Sequence, residues 1–408
     1  MADFLTLKTV DQILTLLEDF DPLPTEEIPL EAALGRVLAA PYLAPADLPG
    51  FNRSTVDGFA VRARDVFGAS EGLPAALTLV GEGRMGQDCS LTLNPGETIR
   101  VWTGGALPPQ SDAVVMLEYA RTSQAGLVEL VKPLAPGENV ILADEDAAKD
   151  QELIPIGQTL RAAELGLMAA FGETVVSVRR KPKFAILATG DEVVKITDAP
   201  KIGQVRDINS IAIKALVEAA GGLGELLGLV PDDLPLLSQK VATGLALADA
   251  VVLTGGSSAG EKDYTLKALT AQPGTAALAH GVAISPGKPL IFARQGQKSL
   301  WGLPGHPAGA LVTAEVFLKA LIRRLTGAKE PIWPKALKAR LSRSVPSAEG
   351  RRDYFRVKLT FKGQELIASP VLGKSALIST LAGADALAIC PEEREGLEQG
   401  EWADIRLL

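Results

Sequence analysis

Cysteine and histidine are scarce in this chain, with two of each among 408 residues. Cys89 and Cys390 form no close-spaced motif, which excludes a disulfide framework and a thiolate metal site. His280 and His306 are too few for an imidazole-rich metal centre. Any cation would therefore take hard oxygen ligands from Asp or Glu, which suits magnesium. A basic surplus is also missing. Lys and Arg number 41 against 49 Asp and Glu, a net charge of -8. Phosphate neutralisation drives nucleic-acid affinity, so the balance speaks against a nucleic-acid partner. Aromatic residues make up only 5%, so the cores must be built mainly from Leu, Val, Ile and Ala. No apolar run is long and uncharged enough to span a bilayer. Met1–Lys8 lacks the basic-then-apolar order of a secretory leader, so no membrane and a cytoplasmic location are expected. Internal repeats and low-complexity tracts are absent too.

What is present is an ordinary globular balance: 47% hydrophobic and 22% charged. The length predicts two to four domains. Residues 9–20 have the pattern of an amphipathic helix, with Thr9 and Gln12 at capping-box spacing and Val10, Ile13, Leu14 and Leu17 on one face. Residues 21–48 carry Pro22, Pro24, Pro29, Pro41 and Pro45 and should be extended and interrupted. From about 50 to 146 the period becomes that of short strands: Leu77–Val80, Thr98–Trp102, Ala113–Leu117 and Leu127–Val131. Gly and Pro separate them, which predicts a small β domain. Residues 147–178, with a helix-like stretch from Arg161 to Phe171, form a return connection.

Residues 183–327 alternate strand and helix. Phe184–Ala188, Leu226–Val230, Ala250–Thr254 and Ser299–Leu303 read as strands. A helix capped by Ser210 and ended by Gly221, helices over Leu234–Leu247 and Tyr264–Leu269, and one from Pro307 to Thr326 lie between and after them. The alternation predicts a mostly parallel sheet covered on both faces. The last eighty residues return to strands. Tyr354–Phe361 places Phe355, Val357, Leu359 and Phe361 on one face, and a small β barrel or sandwich is expected.

In such a sheet, ligands bind at the carboxyl ends of the strands. Three loops directly follow strand candidates: Thr189-Gly190-Asp191-Glu192, Thr254-Gly255-Gly256-Ser257 continuing to Gly260, and Leu303-Pro304-Gly305-His306-Pro307. Glycines let a backbone approach a ligand and expose its amide N–H groups. One such loop alone is usually only a tight turn. Three at one sheet edge point to a phosphate- or nucleotide-sized ligand, although none is a Walker A loop or a GxGxxG fingerprint. Glu192, Asp232, Asp233 and Asp263 stand nearby and could together hold magnesium; Asp232 or Asp263 could equally cap the following helix. Lys288 could contact an oxyanion or simply be a solvated lysine. Asp57-Gly58 alone signals a hairpin turn, and His306 between Pro304 and Pro307 reads as packing under its loop. No nucleophile elbow appears, so a covalent hydrolase is a poor reading.

At these residues the chain resembles the MoeA family, whose eukaryotic relative is the E domain of gephyrin. The motifs are Ser54–Val61, Val101–Pro108, Ala188–Glu192, Thr254–Asp263, Pro286–Pro289, Gly302–Pro307 and Gly350–Arg356, in family order. Singly each is weak, and jointly they are specific. The resemblance implies a multidomain α/β plus β protein: an α/β molybdopterin-binding domain of the MoaB/Mog kind (1–25 and 180–328), an extended linking and dimerisation domain (26–48 and 147–179), a β domain (49–146) and a C-terminal β barrel (329–408). It implies a homodimer whose cleft lies between the α/β domain of one subunit and the other subunit's β domain. The implied activity is that of a molybdopterin molybdotransferase. Molybdate is inserted into adenylated molybdopterin and AMP is released, in a magnesium-dependent step; other proteins of the cofactor pathway are possible partners.

By motif matching, Asp57, Asp146, Glu192 and Asp263 would be catalytic, and Asp232, Asp263 and Glu192 would hold the metal. Thr103, Gly190, Gly255, Gly256, Ser257, Lys288, Pro304, Gly305, Pro307, Arg351 and Ser375 would bind substrate. The chain departs from the family pattern where basic residues are usual. Gly281–Ser285 precedes Pro286, Ile141–Ala143 follows Glu138-Asn139-Val140, and His306 stands for an asparagine. Each lost charge-assisted contact is worth about 1.5–3 kcal/mol. The alternative reading is thus a degenerate member that binds a pterin or a partner protein without transfer. An unrelated nucleotide-binding α/β enzyme is a third, against which the Asp57 and Arg351 motifs speak.

Overall fold

A computed structural model of the chain describes residues 7–122, 126–255, 264–329 and 337–408. Gly256, Ser257 and Asp263 lie outside the described residues. The chain divides into two compact units. One comprises Met1–Ala40, Ile156–Leu165 and Val175–Leu408, and the other Pro41–Pro155 and Gly166–Thr174.

The first unit is organised by a six-stranded sheet in the order Leu223–Val230, Lys183–Thr189, Ala250–Thr254, Lys298–Leu303, Ile291–Gln295, Ala276–His280. The first three pairings are parallel and the last two antiparallel. Both faces are buried, and the alternation of side chains shows it. Phe184, Ile186, Val252 and Trp301 pack into one core; Ala185, Leu187, Val251 and Leu300 pack into the other. Val10, Ile13 and Leu17 of the N-terminal helix Val10–Leu17, with Ile213, Val217, Phe317 and Leu321, cover the first face. Leu237, Val241 and Leu245 of the helix Leu234–Leu247 cover the second, with Ala268 and Leu269. Each fully buried aliphatic side chain contributes about 1.5–3 kcal/mol to this docking.

The expected capping box is present: Thr9 Oγ1 accepts from Gln12 N at 3.1 Å and Gln12 Oε1 from Thr9 N at 2.9 Å. Extended pairing follows the helix, with Thr25–Pro29 antiparallel to Val175–Arg179. Helical structure runs from Pro307 to Thr326, with a π turn over Ala314–Leu318, and ends at Gly327 in the left-handed region at φ 68°. The π turn carries buried Glu315, which accepts from Arg406 Nε at 3.1 Å and Lys319 Nζ at 2.7 Å.

Residues 337–408 form the β barrel expected from the sequence. Five strands close in the order Arg352–Lys362, Glu365–Pro370, Leu337–Leu341, Trp402–Leu407, Ala386–Cys390 and back to Arg352–Lys362. Val357, Ala368, Ala339, Ala388 and Ile405 fill it, while Phe361, at the far end of its strand, is exposed. Tyr354 and Leu387 point the other way and join the first core of the α/β sheet. The barrel strand also pairs in parallel with Ile284–Ser285, which brings Arg352 and Asp353 beside the Pro286–Pro289 turn.

The second unit holds an open six-stranded sheet in the order Ala113–Met116, Gly58–Val61, Glu97–Val101, Ala75–Glu82, Leu127–Leu130, Ala120–Thr122. Here the hairpin expected at Asp57-Gly58 is corrected. Gly58 begins a strand inside the sheet, and a Cβ there would lie 2.0 Å from Val115 O. Its glycine serves close strand packing rather than a turn. A second correction concerns Ser210. The helix is Asn209–Ala219, Ser210 lies inside its first turn, and Asp207 Oδ1 accepts from Ser210 N at 3.1 Å. The capping carboxylate thus stands three residues before the serine. The antiparallel strand pair at the sheet edge, Ala276–His280 with Ile291–Gln295, also went unpredicted, because Pro286 and Gly287 in its connection obscure the period.

Candidate functional site

The carboxyl ends of Lys183–Thr189, Ala250–Thr254 and Lys298–Leu303 lie side by side, and the loops leaving them meet through glycine. A Cβ on Gly255 would lie 2.0 Å from Thr189 O, and a Cβ on Gly305 would lie 3.6 Å from Gly255 Cα. Gly255 holds φ at +98°, where side-chain-bearing residues are strained. Gly190, at φ +140°, has the carboxylate of Glu192 folded over its α-carbon: a Cβ there would meet Glu192 Oε2 at 2.9 Å. Backbone therefore faces backbone where Thr189, Gly255 and Gly305 meet.

Around this edge opens a groove of about 1160 Å³, built entirely from the first unit. Thr189, Glu192, Asp232, Gly255, Lys288, Pro304, Gly305, Pro307, Arg351 and Ser375 all line it. Gly190, also expected to bind substrate, is buried between Thr189 and Glu192 and is not itself among the lining residues. Asp57, Thr103 and Asp146 belong to the second unit. There Asp57 Oδ1 accepts from Thr103 N at 2.8 Å and Thr103 Oγ1 at 2.7 Å. These bonds hold its carboxyl below the usual carboxylate range. Asp146 is an exposed carboxylate whose N–H donates to Leu48 O at 3.0 Å.

Two adjacent aspartates divide the roles that the sequence left open between capping and ligation. Asp233 caps the helix Leu234–Leu247 through Leu236 N at 2.9 Å. Asp232 is therefore free of that task. Its Oδ1 accepts from Thr189 Oγ1 at 2.6 Å, and its N–H donates to Asp191 Oδ1 at 3.2 Å. The carboxylate is thus fixed at the groove, and among the described residues its second oxygen has no hydrogen-bond partner.

Lys288 is placed by a turn that tolerates no side chain. A Cβ on Gly287, at φ +130°, would lie 2.3 Å from Thr313 Cγ2 on the helix behind it, and a Cβ on Gly309 of that helix would lie 3.6 Å from Gly287 Cα. The Ser285–Pro286 peptide is cis. Arg351 is held from below by buried Asp353, with Nε to Oδ1 at 3.0 Å and Nη2 to Oδ2 at 3.2 Å; Ser347 Oγ donates to the same Oδ2 at 2.9 Å. Ser375 reaches the groove on a barrel loop secured by Arg356, which donates to Gly373 O and Thr380 Oγ1, both at 2.6 Å. Ser375 O then accepts from Ala308 N at 3.0 Å.

His306 corrects the expectation of simple packing. It is exposed at the groove, and its Nδ1 is hydrogen-bonded to Ser375 Oγ at 2.9 Å. Asp207, Asn209, Arg206 and Glu349 also line the groove and were not foreseen. The Asp207-x-Asn209 spacing at the start of the helix was the available signal.

The groove's charges are nearly balanced, with a slight acidic excess: Glu192, Asp207, Asp232 and Glu349 against Arg206, Lys288 and Arg351. Among the described residues no three His, Cys, Asp or Glu side chains converge as a ready metal site. The carboxylates of Glu192 and Asp232 at the groove nevertheless suit magnesium, which is commonly bound by one or two carboxylates plus substrate phosphates and water.

An open α/β sheet with amide-rich glycine loops, one lysine and fixed carboxylates at its carboxyl edge defines a binding domain for an anionic, nucleotide-like ligand. Comparison with known proteins narrows this class. Residues 185–324 match a family model described as a probable molybdopterin binding domain. Residues 8–172 match the MoeA N-terminal region (domain I and II), and residues 338–408 the MoeA C-terminal region (domain IV). A molybdopterin molybdenumtransferase of Nostoc is 34% identical over 373 residues, covering 90% of this chain and 85% of its own. A putative molybdopterin biosynthesis protein of Methanocaldococcus jannaschii is 32% identical over 392 residues, covering 94% and 92%. The solved molybdopterin biosynthesis MoeA protein of Pyrococcus horikoshii OT3 superposes with a TM-score of 0.86 at 30% identity, covering 99% of this chain and 100% of its own. The chain belongs to the MoeA family.

Proposed function

We propose that this protein completes molybdenum cofactor synthesis by inserting molybdate into adenylated molybdopterin with release of AMP. The observation that carries the reading is the meeting of three glycine loops at one groove, where Thr189, Gly255 and Gly305 touch backbone to backbone and Lys288 and fixed Asp232 stand beside them. Backbone amides and Lys288 bind phosphate oxygens. Arg351, oriented by Asp353, adds a fork of donors to an oxyanion. Pro304 and Pro307 stiffen the loop between them, so that the donors are set before the ligand arrives.

Magnesium fits the donor set. Asp232 and Glu192 would hold it at the groove, and Asp263, at the end of the Thr254–Asp263 motif, would be the third ligand. When bound, it supplies charge neutralisation between the carboxylates and the phosphate. Asp57 and Asp146 are the proposed catalytic groups of the second unit. The reading extends to a cytoplasmic homodimer, with the β domain of one subunit facing the α/β groove of the other. It also carries the four-domain division at 1–25 with 180–328, 26–48 with 147–179, 49–146, and 329–408. Purified protein given adenylated molybdopterin, molybdate and magnesium should release AMP stoichiometrically with metal insertion. No AMP release across metal and pH conditions, with the ligand bound, sinks the reading.

A further inference from the structure

Past the last residues paired in the ladder, Thr254 and Leu303, the sheet no longer fixes the loops that follow. Asn209 cross-links them there. It is the first residue of the helix Asn209–Ala219 and is buried, and its Nδ2 donates to Thr254 Oγ1 at 2.9 Å and to Gly305 O at 2.8 Å. Among the described residues its buried Oδ1 has no hydrogen-bond partner. A buried acceptor left unpaired costs stability, so an apolar side chain would serve the helix better than this amide. What the asparagine supplies is the orientation of the Gly305 carbonyl.

That orientation has a consequence one atom further along. The Gly305–His306 peptide is trans, so the His306 N–H points opposite to the Gly305 carbonyl. The carbonyl is drawn inward to buried Asn209, while Gly305 and His306 are exposed at the groove. Among the described residues the His306 N–H has no hydrogen-bond acceptor. We infer that Asn209 is a positioning residue, which turns the Gly305–His306 peptide so that the His306 N–H faces the groove and donates to an oxyanion of the phosphorylated ligand. The inference rests on the phosphate-binding function proposed above and names the residue that prepares one donor for it.

The test is Asn209→Asp, which keeps the shape but replaces the Nδ2 donor by an acceptor. The Thr254 hydroxyl can turn and donate to the new oxygen, whereas the Gly305 carbonyl is repelled. The affinities of AMP and adenosine are compared by calorimetry on the full chain, and the peptide orientation is read from a crystal structure of the variant. The dissociation constant for AMP should rise about tenfold to a hundredfold, the worth of one charge-assisted hydrogen bond. The constant for adenosine, which lacks the oxyanion, should not move, and the Gly305–His306 peptide should rotate. Asn209→Ala serves as a second variant should the aspartate fold poorly, with the same selective loss expected. Equal losses for AMP and adenosine, or an unrotated peptide with unchanged AMP affinity, overturn the inference. Wild-type protein that binds neither compound instead refutes the functional reading itself, while the peptide rotation still decides the role of Asn209.

Discussion

Replacing Gly255 by alanine should damage both stability and ligand binding, and Gly221→Ala provides the control that separates two causes. Both glycines hold a positive φ, +98° and +94°. A left-handed backbone costs a residue with a Cβ roughly 1–2 kcal/mol at either position. At Gly221 a Cβ would meet nothing within 4 Å among the described residues, so that strain is the whole penalty. At Gly255 it would lie 2.0 Å from Thr189 O, against an ordinary contact of about 3.4 Å. The two loops would have to part by about 1.4 Å, the difference between those two distances. Overpacking of this kind adds about 1–3 kcal/mol.

Gly255→Ala should therefore lower the melting temperature by several degrees more than Gly221→Ala, at roughly 2–4 °C per kcal/mol for a domain of this size. A shift on the order of 1 Å at a positioning loop can cost about a hundredfold in rate. Gly255→Ala should accordingly lose AMP release almost completely, while Gly221→Ala retains it. Differential scanning calorimetry and single-turnover AMP release read both effects. Equal melting temperatures for the two variants, together with wild-type AMP release by Gly255→Ala, would refute the claim that contact between the loops shapes the site.

Asp232→Asn keeps the hydrogen bond from Thr189 Oγ1 but removes a negative charge from the groove. Without magnesium it should bind AMP at least as tightly as the wild type, and magnesium should then bring it little or no further gain; an undiminished magnesium effect in titration calorimetry contradicts the assigned ligand role. Asp249 supplies the pH prediction. Burial pushes its carboxyl up, but the Arg180 guanidinium at 2.7 and 2.8 Å and the Lys183 N–H at 2.8 Å outweigh burial and hold it below the ordinary range. A folded-state value below the unfolded one stabilises the fold above the ordinary carboxylate range, and that stability is lost as pH falls through the folded value. Asp249→Asn should thus cost about 1.5–3 kcal/mol near neutral pH, and its deficit in urea unfolding should shrink as the buffer is taken below about pH 4. A deficit that stays constant with pH rules out the charged pair as its source.

Much of this architecture was legible because hydrophobic period and loop chemistry agree. Phe184–Ala188 and Ala250–Leu253 are unbroken apolar runs, as strands buried on both faces must be, and each leads through a threonine into a glycine loop. Thr9 with Gln12 announced the first helix, and Gly327 its last counterpart in the α/β unit. The alternation from Phe355 to Leu359 announced the barrel, but strand closure depends on pairings between residues far apart, such as Arg340 with Ile367, and no local pattern encodes those. Ser210 illustrates the opposite failure. Serine is a good cap by type, yet Asp207 already meets its N–H, so the helix begins two residues earlier than a Ser210 cap would set it.

The site divides along the same line. Residues that touch the groove from glycine loops could be named from sequence, because a glycine after a strand carries its reason with it. Asn209, Asp353 and Arg356 could not, since each acts on a partner distant in the chain or through another side chain: Asn209 on Gly305, Asp353 on Arg351, Arg356 on Gly373. The adjacent pair Asp232 and Asp233 shows what decides such cases. Either could cap the helix by type. Only Asp233 has its carboxylate at Leu236 N, while Asp232 is drawn to Thr189 Oγ1 at the end of the neighbouring strand. One cap position thus leaves one aspartate over, and the parallel register that brings Thr189 level with Val230 delivers it to the groove.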